Sequence, residues 1–298
     1  MALGLYPTQL HQTTIRLAGR VRSEETNNKQ LEPMKIIKSI NITILTITTA
    51  LAVQVQAQVS TPILAGFTDY SLPREDDFPS QLATMPFTIN FYGTWFSDVW
   101  VNNNGNVTFD GSLSQYTPGP LNSAGTSIIA PYWADVDTRN PASGVVTYGN
   151  GTVDNHAAFG VDWVNVGYYN SHADLLLSCQ LVIIDRSDIA PGDFDMEFNY
   201  DKVQWEWGDA SVGEPPHAGF SDGGANDVEL PGSGVEGAFL DINTVTGLIY
   251  NSLNSTVPGQ YIFYFRDGTP LESVPEPNLM AIFCFGAAGL AFLRWRQA

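Results

Sequence analysis

The sequence predicts an all-β fold, a sandwich-like antiparallel domain, and three observations carry that expectation. Between Gln58 and Glu272, apolar and aromatic residues come in short runs separated by Gly, Asn, Asp and Pro, the pattern of many short strands joined by turns. No stretch there sustains a helical period over about a dozen residues. Asn104-Gly105 stands between the alternating segments Val99, Val101 and Val107, Phe109. Asn-Gly in that setting is the strongest short-range hairpin signal.

Taken in order, the 98–110 hairpin is followed by strands expected at 145–148, 157–164, 175–184, 194–200, 203–207, 237–240 and 261–266. In residues 193–198 the carboxylates Asp193, Asp195 and Glu197 alternate with Phe194, Met196 and Phe198. That period of two places acids on one face and rings on the other. The plain expectation is a half-buried strand with a solvated face; three carboxylates lining a cation site is the other reading.

Charge narrows the partners. From Gln58 to Pro277 only Arg74, Arg139, Arg186, Lys202 and Arg266 oppose 28 carboxylates, a net charge of −23. Such a field repels phosphate backbones and anionic lipid, which excludes nucleic acid, and it favours cations or polyhydroxylated partners. Of the two cysteines, Cys179 lies in an apolar run and Cys284 in a terminal hydrophobic stretch. No disulfide framework or zinc spacing results, and Cys179 reads as a small core residue. His156, His172 and His217 stand in no Gly-x-Ser-x-Gly or His-Glu-x-x-His context. His217 follows Pro215-Pro216 and is expected on an exposed loop. No enzyme is read from these residues.

Both ends read as targeting sequence. Met34-Lys35-Ile36-Ile37-Lys38, the apolar stretch after it and the small residues before Gln58 make residues 34–57 a signal peptide cut after Ala57. Residues 1–33 precede it, so translation is expected to start at Met34. At the other end, Val274-Pro275-Glu276-Pro277 precedes an apolar segment at 279–293, and Arg294 and Arg296 follow. Basic residues behind a short apolar helix hold that end in the cytoplasm. The ordered triplet in residues 273–298 resembles the PEP-CTERM sorting signal of bacterial exopolysaccharide-associated proteins. The resemblance implies a transient or stable single-pass membrane helix and an exosortase-type sorting protease as a partner.

The remaining domain, 58–272, resembles a known family. Residues 129–139, Ile-Ala-Pro-Tyr-Trp-Ala-Asp-Val-Asp-Thr-Arg, look like the signature segment of the NIDO domain, the extracellular module found in nidogen and alpha-tectorin. Residues 99–109, 144–148, 159–163, 180–186, 194–200, 203–205 and 218–221 follow in the family's order, so the similar core runs from about 87 to 265. The resemblance implies cell–matrix adhesion and protein interaction without catalysis.

Candidate site residues fall in two groups. Asp135 and Asp137 flank Val136 and so share a face; Arg139 or Arg186 could pair with them. With Asp193 and Asp195 they form either structural ion pairs or a calcium site. A catalytic pair is a third reading, which needs two carboxyls about 5–10 Å apart in a cleft. Tyr168, Tyr169, Trp205 and Trp207 are large aromatics near Gly or Asn, placed to stack on a sugar ring or a protein. Alternatively Trp205 and Trp207 share one strand face and pack in the core. The sequence thus describes an exported, non-catalytic adhesion protein of the cell surface or an extracellular matrix of polysaccharide and protein. A lectin-like carbohydrate-binding module, assisted by calcium, is the first alternative, and a matrix polysaccharide hydrolase the second. No cofactor other than calcium is called for.

Overall fold

The computed structural model describes residues 61–78 and 80–271. The upstream residues 1–33, the expected leader 34–57 with Ala57, and the sorting tail 273–298 with its helix 279–293 lie outside the described residues. Among the described residues no helix is long and apolar enough to cross a membrane.

In chain order the strands are β1 (Tyr70–Ser71), β2 (Gln81–Phe91), β3 (Thr94–Val101), β4 (Val107–Thr108), β5 (Ile128–Trp133), β6 (Val136–Asp137) and β7 (Val146–Val153). Then come β8 (His156–Tyr168), β9 (His172–Asp185), β10 (Phe194–Val203), β11 (His217–Ser221), β12 (Asp227–Glu229), β13 (Gln260–Arg266) and β14 (Thr269–Pro270). One sheet runs β1-β7-β8-β9-β10-β13-β14, with β6 also paired to β8; the other runs β12-β11-β5-β4-β3-β2. Every pairing between these strands is antiparallel.

Alternation explains which face is buried. Along β13, Tyr261, Phe263 and Phe265 point inward between half-exposed neighbours, as the pleat requires. They meet rings of the second sheet: Phe265 packs 5.4 Å from Phe91 and edge-on 5.3 Å from Phe220, and Phe263 sits 5.0 Å from Phe220. Cys179 is fully buried in this core. Two tyrosine hydroxyls cross between layers, Tyr200 donating to Pro131 O at 2.7 Å and Tyr132 to Trp205 O at 2.7 Å.

Several expected elements change. Residues 203–207 are not a strand: β10 ends at Val203, and Trp205 and Glu206 are buried side by side, which a pleated strand exposed on one face does not permit. Residues 237–240 form a turn and bends, with Gly237 at φ +71°. Conversely, β2 is a long strand that Pro86 and exposed alternate positions obscure in the sequence. The acidic face of β10 is not solvated either. Asp193, Asp195 and Glu197 are all buried.

Candidate functional site

Five connections meet at the end of the sandwich formed by the β8–β9 hairpin: residues 74–77, 102–106, 134–145, 169–171 and 204–211. The first to assemble locally is 102–106. Asn102, Asn103, Asn104 and Asn106 are all buried, so this is not the solvent-exposed Asn-Gly turn of a simple hairpin. Asn102 donates to Asn106 Oδ1 and Thr108 Oγ1, both at 2.9 Å. Asn104 Oδ1 accepts from Val136 N at 3.1 Å, and Asn103 Nδ2 donates to Val136 O at 2.5 Å. Gly105 has φ +74°, and a Cβ there would lie 1.8 Å from Tyr132 O. Only glycine fits.

The asparagine loop therefore seats the 134–137 segment, and that segment aims Asp135 and Asp137. Asp135 stands just before β6 and Asp137 within it, and their partners differ. Asp137 is bound by Arg139 Nε at 2.9 Å and by Ser171 N at 2.8 Å. Burial raises its pKa, but the hydrogen bonds from Arg139 and from the Arg139 and Ser171 amides outweigh that and hold it below the ordinary value. Arg186 takes no part here. Asp135 is 1% exposed, and its Oδ2 accepts from Ser211 Oγ at 3.0 Å. Burial, opposed by that hydrogen bond and reinforced by Asp76, Asp77 and Asp137, pushes its pKa up to about 7.

Asp76 and Asp77 arrive on a segment tied to the same end. Arg74 Nη1 donates to Thr138 O and Asn140 O at 2.9 Å and to Ser143 O at 2.7 Å, while Glu75 N donates to Thr138 Oγ1 at 2.9 Å. Asn104 Nδ2 then reaches Asp77 Oδ1 at 2.9 Å, and Arg139 Nη2 reaches Asp76 Oδ2 at 3.2 Å. Burial, with the charge of Asp77 second, raises the pKa of Asp76 to about 6. Sequence reasoning missed both residues. They stand about 60 positions before Asp135, and contacts made only in the fold, from Arg74, Asn104 and Arg139, connect the two stretches.

The aromatic candidates border this acidic end. Trp205 is buried and donates from Nε1 to Val166 O at 3.2 Å. It lies against Tyr168, with ring centroids 5.5 Å apart, and Tyr168 stacks on His172 at 4.6 Å. Trp207 is half-buried in a cleft of about 270 Å³ lined also by Tyr168, Leu175, Val212 and Leu240. Trp205 and Trp207 thus part company. Tyr169 is half-exposed, with the Arg139 guanidinium 5.7 Å from its ring centre.

Arg186, Asp193 and Asp195 lie elsewhere. They sit where β9 ends and β10 begins, the length of β9's 14 residues from the β8–β9 turn. Arg186 Nη1 and Arg266 Nη2 each reach a different oxygen of Asp195 at 2.6 Å. Asp193 Oδ1 accepts from Asp267 N at 2.9 Å. Two guanidinium groups take the place a metal would need, so this cluster is a set of ion pairs. His217, expected to be exposed, instead lies in β11, with Nδ1 2.7 Å from Glu229 Oε2.

Fold and site define a β-sandwich module whose loop end joins acidic side chains to a rim of half-buried aromatics. The chain belongs to the nidogen-like domain family, whose profile matches residues 97–267. It is 29% identical to alpha-tectorin of Mus musculus over 226 residues, 65% of this chain and 10% of that protein. It is 28% identical to nidogen of Drosophila melanogaster over 227 residues, 66% of this chain and 16% of that protein. The chain therefore spans only about a tenth to a sixth of these relatives. No solved structure is significantly similar to it.

Proposed function

We propose that this chain is an exported, non-catalytic interaction module acting at a cell surface or in an extracellular matrix. Membership of the nidogen-like family carries this reading; the loop end described above is the surface through which it would act. Delivery through the 34–57 leader and the 273–298 tail, with an exosortase-type protease acting at Val274–Pro277, belongs to the same proposal. Trp207 and Tyr168 line an open cleft of modest size, suited to an aromatic contact with a sugar ring or an extended peptide. The lectin-like reading shares that surface.

Immobilised matrix proteins and neutral and acidic polysaccharides, titrated against the purified chain, test the proposal. Saturable binding to either class is expected, with Trp207→Ala weakening it about tenfold, or about 1.4 kcal/mol. Binding to polysaccharide alone selects the lectin-like form. Release of reducing sugar or peptide fragments with turnover would overturn the non-catalytic reading.

A further inference from the structure

We propose that Asp76, Asp77 and Asp135 form a calcium site that clamps the 74–77 segment onto the loop end of the sandwich. One carboxylate oxygen from each residue lies within 4.8 Å of the other two. Like charges gathered this closely call for a neutralising partner. Arg139 does not supply it for all three: its fork is spent on Asp137, and it touches Asp76 only at Oδ2.

Unmet hydrogen bonding is an independent observation. Asp135 is 1% exposed, and its Oδ1 is buried with no donor. Asp76 Oδ1 is buried without a donor as well. Buried acceptors in native proteins almost always find a donor or a metal. A neutral oxygen in the same condition, Asn103 Oδ1, belongs to the loop whose next residue, Asn104, holds Asp77 at 2.9 Å. The cluster at Asp195 makes the contrast plain, for there two guanidinium groups satisfy the carboxylate.

The donor set points to the ion. All three ligands are hard carboxylate oxygens, and they come from two segments joined by loops. Calcium accepts six to eight oxygens in flexible geometry, whereas magnesium demands a near-ideal octahedron. Backbone carbonyls and water would complete the shell. The site stands on this geometry and not on the interaction reading, so either can fail alone.

Calorimetric titration of calcium chloride into the chelator-stripped full chain, with melting curves alongside, tests the site. One ion per chain is expected, half-saturating near 0.1–1 mM as in extracellular calcium modules, roughly. A tenfold excess over Kd raises Tm by about 3 °C. Asp76→Asn and, separately, Asp135→Asn weaken binding at least about tenfold, and the half-exposed control Asp98→Asn, on β3, leaves it unchanged. Should Asp135→Asn fail to fold, Asp76→Asn decides, with near-UV circular dichroism confirming its native packing. The proposal is overturned by no calcium response up to about 10 mM, by an undiminished response in Asp76→Asn, or by an equal response to magnesium.

Discussion

Asp162 shows what burial does to one side chain. It is 5% exposed on the face of the first sheet, where Gln180 Nε2 donates to its Oδ1 at 2.7 Å and Thr147 lies near its other oxygen. Burial raises its pKa to about 7 despite those two hydrogen bonds. A carboxyl that holds its proton more tightly when folded favours the folded state at low pH. That favour is lost as pH rises from the ordinary value of 3.8 through about 7. Above that, keeping the ionised group buried costs on the order of 3 kcal/mol. Asp162→Asn should therefore gain stability over the native chain at pH 8 and little at pH 4, read from urea midpoints at the two pH values. Equal gains at both would remove burial as the cause. Arg266 makes the opposite case. Arg266→Met leaves Asp195 with Arg186 alone and Asp193 with no cationic partner among the described residues, and should cost roughly 3 kcal/mol by the same measurement. Nothing near Asp195 in the sequence marks Arg266 as its partner, because β13 joins β10 only through the fold.

At the scale of elements, the buried asparagine loop decides most. Gly105→Ala would force a Cβ into the Tyr132 carbonyl at a positive φ, and it should destabilise the chain by about 3 kcal/mol or more. The same substitution displaces Asn104, so calcium affinity is expected to fall with it. The 98–110 hairpin was legible because valines alternate on either side of Asn-Gly. Its burial was not, since consecutive asparagines before a glycine read as a solvent-exposed turn until β5 and β6 are laid against them. The alternating acids and rings of β10 were likewise legible as a strand. What covers the acids depends on arginines 9 and 71 positions from Asp195. Residues 203–207 misled for a local reason: Trp205 and Trp207 two apart imitate a strand face, while Glu206 turns inward to bind Gly237 N at 2.8 Å.

For the whole molecule, charge matters most. The region from Gln58 to Pro277 carries −23, and its members repel one another through solvent over roughly the Debye length. Raising sodium chloride from about 10 to 150 mM should raise Tm by a few degrees while weakening calcium binding. A Tm that falls with salt would mean that surface ion pairs, and not self-repulsion, set the balance. The all-β class was legible because turn residues punctuate apolar runs along the entire domain. Which strand joins which sheet was not, because β5 pairs with β11 and β10 with β13 across long stretches of chain.

The margins of the two sheets have a further consequence. Among the described residues, the outermost strands β1 and β14 are two residues long and β12 is three, so β2 is the long outermost strand. That flank contains Pro86, and its register with β3 slips between Thr84 and Ile89. Neighbouring copies crowded together therefore find no uninterrupted row of amides along β2 to join. The one long outermost strand is thereby a poor template for edge-to-edge joining of copies.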